Sequence, residues 1–158
     1  MIPAEVRSTL SDILGSTPVD VRSAAQRLGL EVYAVDLPPK VSGVLLREKS
    51  YGTSSGFVIL VDRSEPNVRQ RFTAAHELGH YVLHRDSVGD RLEDNYLLRS
   101  EGMSNRQEVE ANKFAAALLM PMELIHKKMS EGVTSVGDLA RTFAVSQIAM
   151  SIRFGLPT

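Results

Sequence analysis

Hydrophobic residues change their period twice along this chain, and that change limits the folds open to it. Over residues 6–28 apolar side chains recur every three or four positions. Over residues 30–61 they come in short β-branched runs, and from Val68 onward the helical spacing returns. Helices, then strands, then helices indicate an α+β fold with a small antiparallel or mixed sheet rather than repeated βα units. Val6, Leu10, Ile13 and Leu14 predict a first helix ended by Gly15. Thr17 as cap, with Pro18 in the first helical position and Asp20 three residues beyond the cap, predicts a second. Its inward stripe is Val21, Ala24, Ala25 and Leu28, and Gly29 closes it. Three strands are expected at 30–35, 44–47 and 57–61, the last two forming a hairpin.

Ser64 and Pro66 open a longer predicted helix that runs to about His84, and a polar stretch over 85–102 follows it. Connections of that length usually cover a site or stay mobile. Ser104 and Gln107 have capping-box spacing and start a helix through Met120, where Pro121 interrupts it. A further helix ends at Gly132, and two short ones over 136–143 and 147–154 finish the pattern. The expected organisation is a main domain over 1–132 with a helical extension over 133–158.

Composition excludes several classes of chemistry. The 158 residues contain no cysteine, so disulfides, thiolate zinc sites, iron–sulfur clusters and thiol nucleophiles are absent. Eighteen basic against nineteen acidic residues give a net charge of −1, which disfavours a surface that coats nucleic acid. The N-terminus lacks the basic-then-apolar pattern of a secretory signal, and no apolar run approaches the ~20 residues that span a bilayer. The expectation is a soluble, cytoplasmic protein with no membrane partner.

One pentapeptide carries chemistry: His76-Glu77-Leu78-Gly79-His80, or H-E-x-x-H. Four residues apart on a helix, both imidazoles reach one ion from the same face, and Glu77 stands near enough to contact a water on that ion. Zinc suits two neutral imidazoles and a carboxylate with a fourth position left to water. The ion lowers the water's pKa towards ~7, and the carboxylate takes its proton as the water attacks a peptide carbonyl. The third protein ligand must lie elsewhere, because position 86, where a further histidine would fall in a metzincin, is Asp86. Glu108 and Glu110 are the candidates, pointing about 200° apart on one helix. The helical face favours Glu108: Asn112 lies four residues on and can accept a hydrogen bond from a zinc-bound imidazole, while Ala115 and Ala116 leave room for close helix approach. Glu110 reads as a rim position.

The segments R-Q-R-F-T-A-A-H-E-L-G-H-Y-V-L-H (69–84) and E-V-E-A-N-K-F-A-A-A-L-L-M-P (108–121) resemble the ImmA/IrrE family of metallopeptidases. The preceding strands, S-G-V-L-L and F-V-I-L-V-D, are also similar to that family. The resemblance spans about residues 17–155. It implies a zincin-like, gluzincin-type domain and a zinc-dependent intracellular protease of the kind that cleaves a helix-turn-helix repressor to relieve repression. His76 and His80 then match the zinc histidines, Glu77 the catalytic base, Glu108 the third ligand and Asn112 the end of the E-x-x-A-N motif. Longer members carry a C-terminal sensing domain, and this chain is expected to be a short form without one.

Other residues carry weaker signals. His84 reads as a contact of the site rather than a ligand, and Tyr81 and Tyr96 as packing residues, although zincins often need an oxyanion donor. Arg69 and Arg71 read as salt-bridge anchors, His126 as a surface residue, and the strand over 57–61 as either an interior strand or an edge open to an extended substrate. Residues 139–153 are similar to a helix-turn-helix with Ala144 where glycine is usual. Their second helix presents Ile148 and Ile152, an apolar stripe expected to pack on the core or a partner, and only Arg141 and Arg153 are basic. Direct DNA binding is therefore disfavoured. The alternative to the protease reading is a non-catalytic DNA- or repressor-binding module with a structural metal site.

Overall fold

A computed structural model describes residues 1–95 and 97–155. The N-terminal pair of helices is α1 (Ala4–Thr9) and α2 (Val21–Arg27), with a 3-10 turn at Ile13–Gly15 between them. The predicted cap of α2 shifts from Thr17 to Asp20, whose carboxylate accepts from the backbone N–H and hydroxyl of Ser23. Strands β1 (Glu31–Val35), β2 (Val41–Arg47) and β3 (Phe57–Asp62) follow, then the long helix α3 (Asn67–Val88). Ser64 does not cap α3; its hydroxyl is committed to Asp62, and Pro66 precedes the first turn.

The sheet has four strands, not three. Within the polar stretch lies β4 (Arg91–Asn95), which pairs antiparallel with β2. The order is β1-β3-β2-β4, with β1 and β3 parallel and the other pairs antiparallel. This order decides between edge and centre for residues 57–61, which the sequence leaves open: β3 is interior, and β1 and β4 are the edges. Alternation along β3 explains why it tolerates that position. Phe57, Ile59 and Val61 face the main core, whereas Val58 and Leu60 join Val44 in a smaller cluster on the other face.

Helix α3 lies on the sheet, and α4 (Asn105–Leu119) packs on α3. The capping box at Ser104 and Gln107 forms in full. Contact between α3 and α4 depends on Gly79: a Cβ there would stand 3.1 Å from Phe114 Cβ and 3.2 Å from the Ala111 carbonyl. After α5 (Met122–Ser130), helices α6 (Val136–Phe143) and α7 (Gln147–Arg153) add Leu139, Phe143 and Met150 to the main core. Ile148 and Ile152 do not pack on that core; they are 65% and 62% exposed. Among the described residues no helix is long and apolar enough to cross a membrane.

Candidate metal centre

Helix α3 delivers His76, Glu77 and His80, all fully buried, towards α4 and the sheet. The rings of His76 and His80 stand 4.6 Å apart and nearly perpendicular. Glu108, in the first turn of α4, meets both: Oε1 lies 2.7 Å from His80 Nε2 and 3.5 Å from His76 Nε2. Its other oxygen accepts from the backbone N–H of Ser100 at 2.7 Å. Glu110 faces the other way, at the rim, with its side chain 42% exposed.

A fourth group completes the cluster, and sequence reasoning missed it. Asp94, on β4, is fully buried, with Oδ2 3.7 Å from His76 Nε2. Ligand atoms of His76, His80, Asp94 and Glu108 all lie within 4.8 Å of one another. The signal that could have found Asp94 is faint. Leu92 and Asp94 alternate inward on a strand whose other residues are polar, so the period-2 pattern rests on a single hydrophobe.

The surroundings fix which nitrogen each histidine offers. Asn112 Oδ1 accepts from His76 Nδ1–H at 2.8 Å, which leaves the Nε2 lone pair aimed into the cluster. His84 Nε2–H donates to Glu110 at 2.9 Å, so His84 Nδ1 accepts from His80 Nδ1–H at 3.0 Å. His80 therefore also turns Nε2 inward. Such contacts set tautomer and ring orientation in metal sites.

Several polar atoms here have no hydrogen-bond partner: His76 Nε2, both Glu77 oxygens and both Asp94 oxygens. Buried polar groups are nearly always satisfied, and an unpaired buried carboxylate costs several kcal/mol (about 1–3 or more). Two imidazoles and carboxylates with inward lone pairs are the donor set of a divalent ion such as zinc. The residues fit a metal.

Charge in the metal-free protein is distributed accordingly. Burial acts to lower the His76 pKa, but Asp94 and Glu108 outweigh it and raise it to about 9. Burial lowers that of His80 despite the adjacent Glu108. Against its own burial, Glu108 is held at about 2 by the two histidines. Glu77 is pushed well above the usual carboxylate range by burial first and then by Asp94, so it is the acid of that pair that keeps a proton. Gly43 on β2 makes room for it: a Cβ there would lie 2.5 Å from Thr73 Cγ2 and 3.1 Å from Glu77 Oε2.

The weaker sequence candidates resolve differently. Tyr81 packs edge-on against Phe57, and its hydroxyl accepts from Arg85. Tyr96 lies outside the described residues. Among the described residues Arg71 forms no salt bridge; it anchors by donating to the carbonyls of Phe143 and Ala144 at the end of α6. His126 is exposed.

The sequence is 41% identical over 95 residues to the radiation response metalloprotease IrrE of Deinococcus deserti, a match covering 56% of this chain and 32% of that protein. It therefore spans about a third of that relative's length. A Mycobacterium tuberculosis transcriptional regulator shares the fold with a TM-score of 0.55 at 20% identity, over 96% of this chain and 51% of that one. Residues 25–154 match the family described as the IrrE N-terminal-like domain, Peptidase M78, and the chain belongs to that family.

Proposed function

We propose that this chain is a zinc-dependent endopeptidase that hydrolyses a peptide bond in a protein substrate, a helix-turn-helix transcriptional repressor, and so relieves repression in the cytoplasm. The observation that carries the reading is Glu77: a fully buried carboxyl group, unpartnered at both oxygens, beside a His–His–carboxylate set. A structural metal site needs its ligands and has no use for such an acid, whose burial opposes folding.

In this reading His76, His80 and Glu108 hold the ion, and Asn112 and His84 keep the two rings turned towards it. Zinc supplies Lewis acidity, acidifying a bound water and polarising a carbonyl. Glu77 accepts the proton of the attacking water and passes it to the leaving amine; its raised basicity suits that work near neutral pH. The substrate binds extended along β4, the edge strand that carries Asp94, by strand addition. Residues 1–132 form the peptidase unit and 133–158 a helical extension that meets the protein partner through Ile148 and Ile152.

The alternative, a non-catalytic module that binds DNA or a repressor around a structural metal, is favoured in one respect by that exposed pair on α7. Its DNA form lacks side chains for phosphate: Arg141 is paired with Asp138, and Arg153 donates to the Met120 carbonyl. A salt-sensitive gel shift with the purified chain would reverse this preference.

The deciding experiment incubates the zinc-loaded protein with the product of a neighbouring regulator gene. A metal-dependent fragment is expected, and Glu77→Gln should keep metal and fold while losing cleavage at least 100-fold. Cleavage retained by that variant refutes the role given to Glu77.

A further inference from the structure

The proposed reaction needs one coordination position open to water, and the cluster has a fourth ligand-bearing side chain, Asp94, besides the three that would hold the ion. Asp94 is fully buried, and neither of its oxygens has a hydrogen-bond partner. A buried carboxylate needs positive charge beside it; His76 stands 3.7 Å away, and the space enclosed by the four ligand atoms is the place for a metal ion. Four ligand atoms arranged tetrahedrally at 2.0–2.2 Å from one ion lie about 3.4 Å from each other. His76 Nε2 is 3.5 Å from Glu108 and 3.7 Å from Asp94, close to that edge length, while Glu108 stands nearer to His80 Nε2, at 2.7 Å.

The backbone is built to bring Asp94 there. Opposite it, β2 carries a bulge: Val41 pairs with Asn95 and Gly43 with Asp94, so Ser42 is extra. Bulges re-aim side chains beside functional sites. Gly43 contributes no side chain across from Asp94. Beyond the strand, the Asn95 side chain accepts from the N–H groups of Leu97 and Arg99, a turn that brings Ser100 onto Glu108. A cleft of about 410 Å³ runs outside this cover, with Asp94 and Ser100 among its lining residues. Asp94 and Ser100 thus stand between that cleft and the histidines.

We infer that Asp94 is a fourth ligand of the metal, closing the shell so that the folded chain is latent until β4 shifts and carries Asp94 out. This rests on the metal-site reading above and adds its regulation. Two ionised carboxylates and two neutral imidazoles balance a divalent charge, and Glu77 has no water to activate while Asp94 stays in place.

Cobalt(II) reports the shell directly through its visible spectrum, and acetohydroxamate probes for an open position. Wild-type protein loaded with cobalt should show intense four-coordinate bands that barely respond to acetohydroxamate. In Asp94→Ala and Asp94→Asn, cobalt affinity should fall at least tenfold, and acetohydroxamate should bind at least tenfold tighter with a shifted spectrum. The metal-free variants should keep the wild-type far-ultraviolet circular dichroism and a cooperative melt, which separates loss of a ligand from loss of fold. Equal acetohydroxamate affinity in wild type and both variants overturns the inference while leaving a metal site. Failure of wild type to take up cobalt at all overturns the metal-site reading and this inference with it.

Discussion

His76 ties the stability of the metal-free protein to pH. Its folded-state pKa of about 9 lies above its ordinary 6.5 because Asp94 and Glu108 face it. Stability contributed this way is whole below pH 6.5 and is lost as the pH climbs through 9, and the raised Glu77 acts in the same direction. Chelator-treated protein should therefore lose roughly 3 kcal/mol between those limits, read from urea melts at the two pH values. A flat profile would mean that His76 does not carry the paired charge. The same cluster shows how far single residues are legible. His76, Glu77 and His80 follow from spacing alone, since two imidazoles four apart on a helix have little other joint use. Glu108 follows from its helical face, with Asn112 one turn on. Asp94 does not: an acidic residue on a polar stretch looks solvated until the pairing of β4 with β2 turns it inward.

Elements that bury several hydrophobes are easily read, and those that do not are missed. Strands β1 to β3 and helix α3 announce themselves through apolar periodicity and α4 through its capping box, whereas β4 has only Leu92 to place in the core because Asp94 occupies its other inward position. Its backbone hydrogen bonds, invisible in composition, make it a strand. The end of α3 is obscured for a related reason: His84 leaves helical geometry (φ −132°) while bonded to His80, and the helix then resumes to Val88. At this scale the site depends on how closely α3 and α4 approach at Gly79. Gly79→Ala gains about 1 kcal/mol of helix propensity, but its Cβ would press on Phe114 and the Ala111 carbonyl, an overpacking worth about 1–3 kcal/mol. The helices must part, and Glu108 moves with α4. The variant should melt lower and bind metal several-fold more weakly in a chelator competition; unchanged affinity would show that α4 absorbs the methyl without moving Glu108. Glu108→Ala should abolish binding, while Glu110→Ala, acting only through His84, should weaken it by about tenfold or less.

Across the whole molecule, the C-terminal helix pair is fastened to the body by apolar packing and by two arginines whose donors end on backbone carbonyls. Leu139, Phe143 and Met150 enter the main core; Arg153 reaches the Met120 carbonyl after α4, and Arg71 on α3 reaches Phe143 and Ala144. Arg71 matters most to the shape of the turn, since Ala144 sits at φ 53°, a left-handed conformation that residues other than glycine adopt at a cost. Burial lowers the pKa of this guanidinium, and Asp20 only partly offsets that, so the charge is kept in a half-buried place for the carbonyls it satisfies. Hydrogen bonds from a charged donor contribute about 1.5–3 kcal/mol each when broken one-sidedly. Arg71→Met keeps the length and apolar stem of the side chain and removes both bonds. At about 2–4 °C per kcal/mol for a chain of this size, it should lower the melting temperature by roughly 6 °C or more. Hydrogen exchange would then locate the damage: amides of α6 and α7 should exchange faster while those of α3 and α4 around the histidines keep their protection, because those helices hold each other through Gly79 and Phe114. Equal acceleration in both regions would mean that the terminal pair is an integral part of the fold around the metal centre rather than a unit fastened onto it.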